Sequence, residues 1–336
     1  MYSKSKVAVK YVIITMIVFS FMAISPQTSW GIDPSKYPKQ LVIRAGTVGG
    51  PWVPMGTMFA DVMMKKFPGL NVMVQPGGAV SNVKIIDKGE DAVLGFTYSP
   101  LYWEGRLGQL DKGKKYNNLS ALFACTASFQ QMAVRANSDI RSFEDLKNKH
   151  ISTGHRGGGD EIGGRRVLET YGITYDSIRK AGGKVSFLQS TEMGMALKDN
   201  ILDFGNFAGN APHATLQDVE TSTPIRLLNI DKEHAAKLIE KYPFYAVETL
   251  PAGTFKGMKE PATQVINVVL MIANNSLSDE FLYELTKLMV EKGPEMRKSL
   301  PFIDRLNPPS KAVFSLTPKM MHPSAVKYFK EIGVFK

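Results

Sequence analysis

From Leu41 onward the chain alternates short apolar runs with stretches whose apolar residues recur at helical spacing. That alternation predicts an α/β fold with largely parallel sheets. Leu41–Gly46 reads as a first strand, and Met55, Phe59, Val62 and Phe67 place a helix over 55–66. Leu70–Gln75 predicts a second strand, closed by Pro76-Gly77-Gly78. A short helix follows at Ser81–Lys88, and a third strand at Ala92–Thr97. The run Ala121–Ala136 predicts one long strand, and Ser142 with Asp145 three residues on forms a capping box. A second α/β series opens at His150–Gly154. Its glycine-rich turn, residues 154–160, leads into a helix over 161–171, with later strands at 185–188, 201–207 and 225–230. Gln264–Ile272 returns as a strand, before helices at 278–291 and 324–332. In a wound sheet of this kind, ligand loops gather at the carboxyl ends of the strands.

The first 31 residues follow another pattern. Lys4, Lys6 and Lys10 precede the apolar run Val12–Ile24, and Ser29 and Gly31 put small residues before a cut after Gly31. This order predicts a secretory signal peptide and a periplasmic mature protein. The alternative is an uncleaved anchor, for which the run is short against the ~20 residues of a membrane span. Removing residues 1–31 lowers the formal charge from +10 to +7, through the three lysines alone. The remaining basic residues are scattered, with no basic helix or aromatic-interleaved patch, so nucleic-acid binding is not expected. Cys125 is the single cysteine and cannot form an internal disulfide.

Several segments together resemble the TAXI family, the solute receptors of one branch of the tripartite ATP-independent periplasmic (TRAP) transporters. They are the loop Gly46-Thr47-Val48-Gly49-Gly50-Pro51-Trp52-Val53-Pro54-Met55-Gly56, the loop Gly77–Asn82, the stretch from Val134 through Lys147, the 192–212 region and the tail His322-Pro323-Ser324-Ala325. The likeness spans about Leu41 to Gly333. It implies a type II periplasmic-binding-protein fold, two α/β lobes with a ligand cleft between them. The expected boundaries are 32–130 for lobe 1, with 265–336 returning to it, and 131–264 for lobe 2. Val134 and Val268 lie near the expected crossings. The resemblance also implies capture of a small acidic solute, such as glutamate or a dicarboxylate, for separate membrane permease subunits.

The expected ligand residues are Thr47, Val48, Trp52, Gly78, Ala79, Asn82, Tyr98, Arg156, Gly157, Gly158, Gly159 and Asp160. Glycine turns between a strand and a helix let backbone N–H groups approach an anion, although glycines also serve simple tight turns. Trp52 and Tyr98 are placed to wall a pocket or to cover the sheet end. Arg156 can pair with a carboxylate, or stand as a solvated loop cation beside Asp160 or Glu161. The family's hydroxyl positions are occupied here by Val48, Ala79, Gly158 and Asp160, which disfavours an amino-acid ligand and favours an organic acid without an α-amino group. No catalysis, cofactor or metal is expected. The five histidines lack zinc-site spacing, and neither a G-x-S-x-G elbow nor a phosphate loop is present. A sensor subunit serving a membrane kinase and an enzyme on the same fold are the competing readings.

Overall fold

A computed structural model describes residues 32–46, 51–89, 94–306 and 318–335. The segment expected to be a signal peptide and the Thr47–Gly50 loop lie outside them. The first half of the fold is β1 (Gln40–Arg44), α1 (Trp52–Lys66), β2 (Asn71–Gln75), α2 (Ala79–Lys88), β3 (Leu94–Tyr98) and α3 (Ser99–Leu107). The long β4 (Leu119–Arg135) then carries the chain onward. There follow β5 (His150–Ser152), α4 (Gly159–Thr170), α5 (Tyr175–Lys180), β6 (Lys184–Ser186), α6 (Ser190–Lys198) and β7 (Phe204–Gly209). Next come α7 (Ala214–Val219), β8 (Ile225–Leu227), α8 (Lys232–Lys241) and β9 (Ala246–Leu250). Finally β10 (Ala262–Asn274) returns, ahead of α9 (Asp279–Ser299) and α10 (Pro323–Glu331).

The strands run in the order β2-β1-β3-β10-β4-β7-β5-β6, with β8 beside β4 and β9 beside β10. Two parallel pieces, β2-β1-β3 and β7-β5-β6, are joined through the antiparallel pair β4 and β10. All of β4 is buried along its length, which explains its near-continuous apolar sequence. The fold is that of two α/β lobes sharing two long strands: the α/β class is the one the alternation predicts, and the two lobes are those the family resemblance implies.

Three apolar clusters fill it. One draws on Tyr37 through Cys125 and again on Val268 through Phe329. The other two come from the span between Ala127 and Ile266. Helix caps sit where side chains can supply an acceptor: Thr174, Asp231, Ser278 and His322 each accept a backbone N–H from the helix that follows.

The structure departs from the pattern reading in particular places. Trp52 is the first residue of α1 and not part of a loop. Helix α9 continues past Pro294 to Ser299, with Met296 still buried beyond the proline. The pattern reading has no counterpart for α3, for α5 to α8 or for β9. Among the described residues no helix is long and apolar enough to cross a membrane.

Candidate ligand site

On the first lobe the site begins where β1 and β3 end. Asn82 is fully buried. Its Nδ2 donates to the carbonyls of Ala45 and Phe96, both at 2.8 Å, and lies 3.1 Å from that of Arg44. Its Oδ1 accepts the Gly78 N–H at 3.3 Å. One amide thus fastens two strand ends to the first turn of α2. A Cβ on Gly77 would stand 2.3 Å from that Oδ1, so the turn closes only around glycine. Asn82 was expected at the ligand; its polar atoms are instead engaged by backbone. Trp52 is 7% exposed and packs on Phe96 and Tyr98, with ring centroids 6.0 and 4.9 Å apart.

The second lobe offers a matching turn. Gly154 and Gly157 have φ of 121° and 76°, left-handed values that glycine reaches without strain. The Asp160 carboxylate is tucked beneath the turn, 3.5 Å from Nδ1 of His155, and accepts the Glu161 N–H at 3.0 Å. Burial pushes this carboxyl above its ordinary value, against the pull of the Glu161 N–H and the His155 charge. Behind the turn, Asn206 donates to the Asp160 carbonyl and to Gln130 Oε1, both at 2.7 Å, tying α4 to β4 and β7. Arg156 is exposed, with its guanidinium 4.0 Å over the Phe187 ring.

Between the two turns lies a cavity of about 730 Å³. Of the residues expected from sequence, Gly78, Ala79, Tyr98, Gly157, Gly158 and Gly159 line it. Trp52 lines a smaller hollow of about 430 Å³ that shares Tyr98 as a wall. Burial raises the Tyr98 hydroxyl to about 12, with a further push from the Asp160 charge, so the phenol stays neutral and able to donate. Thr47 and Val48 lie outside the described residues. Asn82, Arg156 and Asp160 are not part of the larger cavity's lining.

The walls that sequence reasoning missed include Glu104, Arg166, Tyr245 and Asn267. Arg166 on α4 donates from Nη2 to Glu104 on α3 at 2.5 Å, and from Nη1 to the Tyr245 hydroxyl at 3.2 Å. The ion pair is largely buried and joins α4 to α3. Asn267, on β10, is 5% exposed and its Oδ1 has no hydrogen-bond partner among the described residues. A buried polar atom left so is costly unless something in the cavity meets it. No group of His, Cys, Asp and Glu able to hold a metal is found among the described residues. The Cys125 thiol is buried, and burial holds its pKa well above the usual range.

Solved structures share this shape. A TctC solute-binding protein from Polaromonas aligns over 87% of this chain and 87% of its own, at 11% identity and a TM-score of 0.51. The periplasmic aliphatic sulphonate-binding protein SsuA of Escherichia coli covers 88% of each chain at 11% identity and a TM-score of 0.49. A putative sulfonate-binding SsuA from Methylobacillus flagellatus KT covers 88% of this chain and 87% of its own, at 16% identity and 0.49. At such identities the likeness is one of fold, the periplasmic-binding-protein fold. The sequence itself matches the NMT1-like family model from residue 43 to residue 333, nearly all of the chain after the leader-like segment, and the protein belongs to that family.

Proposed function

We propose that this protein is a periplasmic solute-binding receptor of the TAXI type, capturing a small organic acid for the membrane permease of a TRAP transporter. The observation that carries the reading is the convergence of α2 and α4, from opposite lobes, on one cavity. The first-turn N–H groups of a helix have no carbonyl partners within it, and the helix dipole adds positive potential there. Two such ends facing each other favour a carboxylate, and closure of the lobes then follows occupancy. Residues 32–130 with 265–336 form the first lobe in this reading, and 131–264 the second. The position of the apolar clusters supports that division. The preferred acid lacks an α-amino group, because Ala79 and Gly158 bring no hydroxyl to the cavity they line.

Titration calorimetry on residues 32–336 tests this. Binding of 2-oxoglutarate or succinate in preference to glutamate is expected. Sub-micromolar glutamate binding, with neither other acid bound, overturns the ligand assignment. Intact mass of exported protein gives a separate check on processing: the expected amino terminus is Ile32, and material retaining residues 1–31 contradicts cleavage after Gly31.

A further inference from the structure

The larger cavity is mostly hydrocarbon away from its glycine turns. Val80, Pro100, Leu101 and Ile162 contribute to its wall, with the rings of Tyr98 and Tyr245. At about 730 Å³ it sits in the upper part of the ~300–1,000 Å³ range of small-molecule sites. A four- or five-carbon diacid would leave most of that apolar surface uncovered. Charge in the cavity is already balanced. Arg166 faces Glu104, and the other basic side chains on the wall, Lys84 and His155, stand 2.9 Å from Asp111 and 3.5 Å from Asp160.

The two partners of the buried pair are held unequally. Arg166 is fixed within its own lobe. Its guanidinium carbon stands 4.3 Å over the Tyr242 ring, with Phe244 and Tyr245 at 5.4 and 5.8 Å, and Tyr245 accepts one of its N–H groups. Glu104 has no side-chain hydrogen bond other than the one to Arg166 among the described residues. An arriving anion therefore meets a preorganised guanidinium whose carboxylate partner is the easier one to move.

We propose that the cleft takes an amphipathic monoanion, an acid group on an aromatic or medium-length aliphatic body, whose head displaces Glu104 from Arg166. The inference rests on the organic-acid reading above and narrows it. Glu104 acts as a resident competitor: it holds the two lobes together in the empty cleft and lowers the apparent affinity by the fraction of molecules in which it occupies the guanidinium. The hydrocarbon walls take up the body of the ligand, and Asn267 offers its unpaired amide oxygen to any donor the ligand carries.

The test is calorimetry with octanoate, 4-phenylbutanoate, succinate and 2-oxoglutarate on the 32–336 protein and three variants. Octanoate or 4-phenylbutanoate is expected to bind the wild-type protein at least about tenfold more tightly than either diacid, the burial of two or more methylenes being enough for that ratio. Glu104→Gln is expected to tighten that binding, by up to about tenfold. Arg166→Gln is expected to weaken it by about thirtyfold or more. Because Arg166→Gln leaves Glu104 buried without its partner, Glu104→Gln with Arg166→Gln serves as the charge-free control, and it should bind as weakly as Arg166→Gln alone. Unchanged or weaker binding by Glu104→Gln overturns the proposal, as does wild-type affinity in the double variant. If the diacids bind and the amphipathic acids do not, the organic-acid reading stands and this inference falls. If none of the four binds, the organic-acid reading itself fails.

Discussion

The turns that start α2 and α4 perform one mechanical task with different chemistry. Each brings a strand end into a helix start beside the cavity, and each is held from within by a buried polar side chain at the head of its helix. In the first lobe the brace is the neutral amide of Asn82, with every polar atom matched to backbone. In the second it is the carboxylate of Asp160, whose burial is only partly offset by the Glu161 N–H and His155. A satisfied amide stabilises its turn at every pH. A desolvated carboxylate stabilises least when it is charged. The first turn is therefore the rigid wall of the cleft, and the second is the wall with a built-in electrostatic cost.

That contrast can be broken at its strongest point first. Asn82→Leu keeps the volume and removes all the bonds, leaving Gly78 N–H and buried carbonyls unmatched; a loss of about 4 kcal/mol in denaturant unfolding is expected. Gly154→Ala should cost about 3 kcal/mol, since φ is 121° and the new Cβ would lie 2.1 Å from the Asp160 carboxyl carbon. Asp160→Asn goes the other way. It keeps an acceptor for the Glu161 N–H and removes the buried charge. The folded pKa of Asp160 is raised, so the wild type loses stability as pH rises through that value. The variant should be the more stable at pH 7, by less than the two losses above, and the gain should vanish below the unfolded value of 3.8. Unfolding curves at pH 7 and in acid read this directly; a gain that persists in acid removes the electrostatic explanation. Gly78→Ala completes the series with a change under about 0.5 kcal/mol, because φ is −159° and the nearest atom to the new Cβ is Ser81 Oγ at 3.3 Å.

The sequence carried the strands well and the cavity walls poorly, for a physical reason. Strands such as Leu94–Tyr98 and Leu119–Arg135 are buried, and burial writes itself as apolar runs. Glycine turns are equally visible, because a left-handed φ demands the residue. Helix α3 is hidden by Pro100, which reads as a break yet sits in the first helical turn, where its missing N–H costs nothing. With α3 unread, Glu104 had no place beside Arg166, a residue 62 positions away that is its neighbour only through the packing of two lobes. Asn82 sits in the expected loop with its polar atoms turned to backbone. Spacing locates an amide but says nothing of which way it faces. Arg156 shows the same limit, its flat cation resting on Phe187 at the surface.

The shared pair β4 and β10 has a consequence for the order in which the molecule can be completed. Tyr98 lies opposite Val269, and Thr126 opposite the same residue on the other side, so β10 is the central strand of the first lobe's sheet although it is among the last to be made. A nascent chain that has reached Ile266 already contains every residue of the second lobe's two apolar clusters. The first lobe at that moment has strands β1 to β3 and no partner for the exposed edge of β3. Its core closes only when Val268–Ala273 and α9 arrive, by contacts of very long sequence separation, the slow kind in folding. The half of the protein that emerges first is thus the half that finishes last, and during that interval the unpaired edge of β3 is the surface a chaperone has most reason to cover.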